Sequence, residues 1–248
     1  MAGPKSTPFH GMSLSGKVDR VDGYIKNGRL YLRVMDYKSG KKSFSLSDIW
    51  YGLNMQLIIY LYALQQEGLD RYRQRIEAEL NEIVPAGVLY VPVRDELPDA
   101  PRDIDEDDPA RECATRQLRR SGLLSDDMEL LEAMEHGLEG DGRFIPVTIK
   151  TKKGEDEPTL AAKSAVADLA KFGRLARYTH EKLLEMGREL RGGSVTADPC
   201  KKDEKHRSYC DWCEFRAACR FDETAGDKAR WLRHLSDEDF WQQVGGEQ

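Results

Sequence analysis

Between Val18 and Leu64 the hydrophobic period of the chain changes once. From Val18 to Lys38 apolar and polar residues alternate, the period-two pattern of strands with one buried face. From Ile49 onward Ile49, Leu53, Leu57, Leu61 and Leu64 recur at spacings of three and four, the stripe of an amphipathic helix. Asn27-Gly28 splits the alternating stretch, and that dipeptide suits a two-residue type I′ turn because both positions need positive φ. The pattern predicts a hairpin, GKVDRVDGYIKNGRLYLRVMDYKSG. It then predicts one helix with Ser47 as N-cap, running through DIWYGLNMQLIIYLYALQQ to about Gly68.

The turn sets the register. Counting outward from Asn27-Gly28, Ile25 faces Leu30, Tyr24 faces Tyr31, Asp22 faces Arg33 and Val21 faces Val34. The same count brings Asp19 opposite Asp36. Leu32, Val34, Asp36 and Lys38 share one face of their strand, whose apolar end belongs to a core. Two carboxylates at roughly 5 Å repel by about 3 kcal/mol at an effective dielectric near 20. A hard divalent cation compensates such a pair, since Mg²⁺ is typically held by one or two carboxylates, waters and phosphate oxygens. Lys38 then projects beside the ion as a point charge. Read alone, the hairpin is also consistent with scattered surface charges and a bulge separating the aspartates. On the helix, Gln56 and Tyr60 are four apart and lie on one side, next to the apolar stripe. A glutamine in so apolar a run requires a hydrogen-bond partner.

Further along, IVPAGVLYVPV reads as a strand that Pro85 and Pro92 confine to a few paired residues. SDDMELLEAMEH, Ser125 to His136, reads as a short helix with Ser125 as N-cap. RFIPVTIKT reads as a strand with KKGEDE as its exposed turn. Asp168 to Arg191 reads as a long helix whose face is Leu169, Phe172, Leu175, Leu183 and Leu190, ended by Gly192 and Gly193. Strands and helices are mixed along the chain, which suits an α/β fold with a mixed β-sheet flanked by helices.

Composition narrows the function classes. The chain of 248 residues, 40% hydrophobic and 33% charged, is long enough for one large domain with its own core. MAGPKSTPFHG lacks the charged-then-apolar pattern of a secretory signal, and no membrane-length stretch is free of polar residues, so a cytoplasmic protein without membrane partners is expected. The net charge of −6 argues against binding nucleic acid by overall charge. Much of the acidic excess lies in DELPDAPRDIDEDDPARE, Asp95 to Glu112, which reads as a surface insertion. The basic clusters at Arg71 to Arg75 and Arg116 to Arg120 read as solvated faces with the option of phosphate contacts. No G-x-x-x-x-G-K-[ST] loop occurs, so the chain by itself is not an ATP-driven motor.

Of the cysteines, Cys113 stands alone, whereas Cys200, Cys210, Cys213 and Cys219 crowd into the final fifth, the last three spaced C-x2-C-x5-C. Close thiols without a secretory signal favour metal ligation over disulfides. The spacing admits a structural zinc with Cys200 as fourth thiolate, or an iron–sulfur cluster.

The motifs GKVD (Gly16 to Asp19), DYK (Asp36 to Lys38) and QLIIY (Gln56 to Tyr60), in that order, resemble the RecB and AddB branch of the PD-(D/E)xK nucleases. EIVPAGVLYVPV, RQLRRSGLLSDD and the cysteine segment extend the resemblance over most of the chain. The resemblance implies a restriction-endonuclease-like core over residues 1–195, with the acidic insertion near 95–112, and a carboxy-terminal cysteine-rich segment over 196–248. It implies Mg²⁺ or Mn²⁺ held by Asp19, Asp36 and the carbonyl of Tyr37, with Lys38 acting on nucleophile and phosphate and with Gln56 and Tyr60 supporting Lys38. It tips the cysteine reading toward a [4Fe–4S] cluster with Cys210, Cys213 and Cys219 as ligands and a fourth ligand upstream; no cysteine precedes Asp36, which suggests a piece of a longer polypeptide or an unusual member in which Cys200 substitutes as fourth ligand. Relatives in the branch also place an upstream histidine on the metal, and His10 is the only histidine before the hairpin. The implied activity is metal-dependent exonucleolytic cleavage of DNA, on a single strand at a processed double-strand end, beside an AddA-like helicase-nuclease partner. A CRISPR-associated RecB-like exonuclease and a catalytically silent DNA- or partner-binding module are the rival readings.

Overall fold

The computed structural model describes residues 7–9, 12–40, 42–93, 118–151, 158–202 and 209–246. His10, the acidic run from Asp95 to Glu112, Cys113, Arg116 and the KKGEDE turn lie outside the described residues.

The hairpin forms as counted. Strands β3 (Arg20–Lys26) and β4 (Arg29–Lys38) pair antiparallel with Ile25 opposite Leu30, Asp22 opposite Arg33 and Val21 opposite Val34. Asn27 and Gly28 take φ of 50° and 73°, as a type I′ turn requires. An antiparallel pair, β1 (Thr7–Phe9) with β2 (Met12–Leu14), precedes the hairpin. Strand β4 also pairs in parallel with β5 (Glu82–Pro92), which pairs antiparallel with β6 (Ser121–Ser125), which pairs in parallel with β9 (Val166–Ala167). The order β3-β4-β5-β6-β9 is a five-stranded mixed sheet. A one-turn helix, α3 (Asp70–Arg73), precedes β5, and between β6 and β9 lie a helix, α4 (Met128–Met134), and a two-stranded ladder of β7 (Ile149–Lys150) with β8 (Thr159–Leu160).

Both faces of the sheet are covered, which is why β4 and β5 are buried along most of their length. Leu30, Leu32 and Val34 of β4 and Val88 and Tyr90 of β5 join Leu57, Ile58 and Leu61 of α2 (Gln56–Gln66), Phe172 and Leu175 of α5 (Leu169–Arg191), and Phe240. The alternate residues Met35, Leu89 and Leu124 pack on the other face with Leu131, Ile145 and Val147. Phe240 belongs to α7 (Asp237–Gly245), so the last helix is part of the main core although it follows the cysteine segment. Trp50 stacks on Tyr178 at 5.4 Å between centroids, and Phe240 stands edge-on to both rings.

Several sequence expectations are corrected. The single helix from Ser47 to Gly68 is two, α1 (Leu46–Trp50) and α2. The break falls at Gly52 and Asn54, whose φ of +76° and +54° are left-handed values that end a helix. The N-cap of α1 is Ser45, whose side chain accepts from Asp48 N, while Ser47 is buried and its hydroxyl accepts from Leu235 N at 3.0 Å. Strand β5 runs for eleven residues rather than a few. Pro85 is tolerated because pairing with β6 begins only at Gly87, and the β4–β5 register shifts at that point. The N-cap of α4 is Asp127, because Ser125 is still in β6 and Asp127 accepts from Glu129 N and Leu130 N. RFIPVTIKT contributes only Ile149–Lys150 to a strand; Ile145 and Val147 serve instead as core plugs held by Arg119, which donates to both their carbonyls. On α5, Leu169 and Leu190 are exposed, and Phe172, Leu175 and Thr179 form the buried face.

Candidate active site

The parallel neighbour of Asp36 on β5 is Tyr90, and both project from the helix-covered face of the sheet near the carboxyl ends of their strands. Asp36 is buried, and its Oδ2 has no hydrogen-bond partner. The Lys38 ammonium lies 2.5 Å from that oxygen, so charge is balanced while the geometry falls short of a hydrogen bond. Lys38 also stands 5.7 Å from the centroid of Tyr90. Burial pushes the Tyr90 phenol up to about 12, and Asp36 and Asp48 add to the effect.

Asp19 is not in the ladder, which ends at Arg20 opposite Met35, and the predicted face-to-face pair of aspartates does not form. Asp19 is exposed, and its Oδ2 accepts from the backbone N of Tyr37 at 3.0 Å. The two acids are therefore joined through the backbone beside Asp36. A bend at residue 19 explains the difference, because it turns the chain out of the ladder one residue early.

Gln56 and Tyr60 meet as predicted, Gln56 Nε2 donating to Tyr60 Oη at 3.0 Å. Gln56 is exposed at the start of α2 rather than embedded in the apolar run, because the helix break places it at a terminus. The ring of Tyr60 covers Gly16: a Cβ there would stand 2.5 Å from Cε1 and 2.7 Å from Oη. The first and third motifs are thus in contact. The described contacts of Lys38 run to Asp36 and Tyr90, not to Gln56 or Tyr60 as expected.

The donor set fits a hard divalent cation. Asp36 presents a buried oxygen lacking a hydrogen bond, and Asp19 is tied to the same strand end, which matches the one or two carboxylates typical of a Mg²⁺ site open to water and phosphate. The thiols behave differently. Cys210 lies in a 3-10 turn (Tyr209–Trp212), Cys213 just after it, and Cys219 ends a one-turn helix, α6 (Arg216–Cys219). Cys213 and Cys219 are exposed, and among the described residues no three His, Cys, Asp or Glu side chains converge as a ligand group. Cys200 sits apart in β10 (Cys200–Lys201), paired with β11 (Arg230–Trp231).

Sequence reasoning missed Tyr90, Lys42, Asp48, Asn54 and Lys202. The side chain of Asp48 is 9% exposed and lies 2.6 Å from the Lys202 ammonium, and it accepts from Asn54 Nδ2 at 2.6 Å; Asn54 Oδ1 in turn accepts from Lys42 at 2.5 Å. The one signal available was the charge of Asp48 immediately before the apolar stripe that begins at Ile49.

Residues 2–220 match the family described as the PD-(D/E)XK nuclease superfamily. The chain is 34% identical over 234 residues to a subunit of an ATP-dependent helicase/deoxyribonuclease from Clostridium botulinum, covering 94% of this chain and 19% of the relative. It is 34% identical over 237 residues to the subunit of the same name from Acetivibrio thermocellus, covering 95% and 19%. With the Clostridium perfringens protein of that name it shares 32% identity over 239 residues, covering 94% and 20%. The chain spans about a fifth of the length of these relatives.

Proposed function

The chain belongs to the PD-(D/E)XK nuclease superfamily, and from that premise we propose that it hydrolyses phosphodiester bonds of DNA in a Mg²⁺- or Mn²⁺-dependent, exonucleolytic reaction. The observation that carries this reading is the buried Asp36 oxygen that has Lys38 at 2.5 Å but no hydrogen bond. Asp19, Asp36 and the carbonyl of Tyr37 would hold the metal, which when bound polarises the scissile phosphate and lowers the pKa of a water.

The chain's own groups supply the remainder. Asp36 is desolvated on the helix-covered face, where reorganising water is excluded. Lys38 lies over the Tyr90 ring with its ammonium free to leave Asp36 and to stabilise charge on the phosphate or orient the attacking water. Tyr90 stays protonated across the working range because burial pushes its phenol up, so it contributes a neutral wall. Tyr60, which accepts from Gln56, packs over Gly16 and holds the segment that leads into Asp19.

The relatives' names describe a helicase and deoxyribonuclease. On that basis the proposed setting is processing of double-strand DNA ends in the bacterial cytoplasm, on a single strand delivered by an AddA-like helicase-nuclease partner. Cys210, Cys213 and Cys219 are proposed as [4Fe–4S] ligands on their sequence spacing, and no catalytic step depends on them.

The test is cleavage of end-labelled single-stranded DNA by the chain with Mg²⁺ or Mn²⁺, beside Asp36→Ala. Cutting that needs the metal and disappears in the variant is the expected result. Cutting that persists in Asp36→Ala would refute the assignment of the site.

A further inference from the structure

A second acid, Asp48, is buried as Asp36 is. Asp48, in α1, receives three contacts: Lys202 approaches its two oxygens at 2.6 and 2.8 Å, and Asn54 Nδ2 donates at 2.6 Å. The same Asn54 side chain accepts from Lys42 at 2.5 Å. This arrangement orients the amide without ambiguity, because its NH₂ must face the carboxylate and its oxygen the ammonium. Asn54 is held at φ +54° in the left-handed region, which asparagine tolerates better than most side chains.

The cluster adjoins the neighbourhood of Asp36: Phe44, two residues after Lys42, donates its N–H to Ser121 Oγ at 2.8 Å, and Ser121 is paired with Tyr90, the parallel neighbour of Asp36. Burial pushes the Lys42 ammonium below the ordinary lysine range; Asp48 and Asp36 pull it up, while Lys202 and Lys38 push it further down. Tyr90, the neighbour of Asp36, feels both Asp36 and Asp48. Three lysines thus stand around two aspartates. Among the described residues Lys42 donates one side-chain hydrogen bond, to Asn54, and an ammonium carries three donors. Three lysines against two aspartates leave a net positive charge at this cluster, the sign that attracts phosphates. Lys202 comes from the segment that leads to the cysteines, and its neighbour Tyr209 directly precedes Cys210.

We infer that Asp48 is a positioning residue: through Asn54 it holds Lys42, and directly it holds Lys202, beside the Asp36 site as two phosphate contacts for a bound single strand. This rests on the nuclease reading but is tested by binding rather than cleavage. The carboxy-terminal segment then supplies part of the strand path, so the cysteine region and the metal site act on one substrate.

The experiment is equilibrium binding of a fluorescent single-stranded oligonucleotide to the chain in EDTA, titrated with salt, for the parent, Lys42→Ala, Lys42→Arg, Lys202→Ala and Asp48→Asn, with thermal unfolding confirming that each is folded. Lys42→Ala and Lys202→Ala are each expected to weaken binding roughly threefold to tenfold and to reduce the slope of log K against log salt by about 0.7, the contribution of one single-strand phosphate. Lys42→Arg should restore the slope. Asp48→Asn is the discriminating variant: removing a negative charge should tighten binding if charge alone matters, whereas loss of positioning weakens it. A parent slope in Lys42→Ala, tighter binding by Asp48→Asn, or no binding by the parent overturns the inference. Metal-dependent cleavage lost in Asp36→Ala would still stand in each of those cases, so the two readings fail separately.

Discussion

Tyr60 lies across Gly16, so that a Cβ at residue 16 would stand 2.5 Å from the tyrosine Cε1. This contact joins the segment entering the hairpin to the helix that follows it, and it gives the glycine of the GKVD motif a steric role. Gly16→Ala is expected to displace the Tyr60 ring and destabilise the chain by about 1–3 kcal/mol, the usual cost of overpacking. Urea midpoints of Gly16→Ala in the parent and in a Tyr60→Ala background provide the check. The penalty should shrink in the second background; an equal penalty in both would show that the ring is not the obstacle.

The metal proposed for Asp36 would compete with Lys38, whose ammonium lies 2.5 Å from the carboxylate. Lys38→Ala should therefore lower the cleavage rate by about 10²–10³, the range for loss of one preorganised charge at a reacting oxyanion. It should also make the chain gain more thermal stability from Mg²⁺ than the parent does, because the buried carboxylate then loses its directly paired cation. Melting temperatures with and without Mg²⁺ measure this, and an equal gain in both proteins would count against the competition.

Phe240 is fully buried among the helices that cover the sheet, edge-on to Trp50 and Tyr178. Phe240→Ala should cost about 3–5 kcal/mol. Chemical denaturation followed by tryptophan fluorescence is the measurement. A change below about 1 kcal/mol, the size of a typical surface effect, would mean that the last helix is not part of the core.

Tyr90 should make stability fall at alkaline pH. Its phenol is pushed up from the ordinary 10.0 to about 12 in the folded chain, first by burial and then by Asp36 and Asp48. The unfolded chain loses that proton first, so the contribution is complete below about pH 10 and is lost as pH rises through 12. Burial shifts Tyr62 and Tyr178 the same way, so all three share the effect. Unfolding midpoints between pH 9 and pH 12 should fall less steeply in Tyr90→Phe; identical slopes would remove Tyr90 from the account.

How much of this was legible beforehand depends on the range of the interaction. The hairpin register, the Gln56–Tyr60 pair and the helix from Leu169 to Arg191 follow from periods of two and 3.6 and from residues that dictate a turn or a cap. These are local constraints, complete within a few neighbours in the chain, and the residues of the three nuclease motifs lie inside them. The helix break at Gly52 and Asn54 was hidden because the apolar stripe continues across it, and its hydrogen bonds come from elsewhere.

What the chain determined by itself is therefore the hairpin, the order of the motifs and the carboxylate, lysine and tyrosine identities at the site. Only the tertiary structure decided that Asp19 binds the backbone of Tyr37 instead of facing Asp36, that Tyr90 floors Lys38, and that Lys202 reaches Asp48 from the far end of the chain. The reason is physical. The Tyr90 and Lys202 contacts join segments with no local periodicity between them and form because burial leaves Asp36 and Asp48 dependent on whichever partner packing brings near, whereas Asp19 leaves the ladder at a bend that the alternation does not encode.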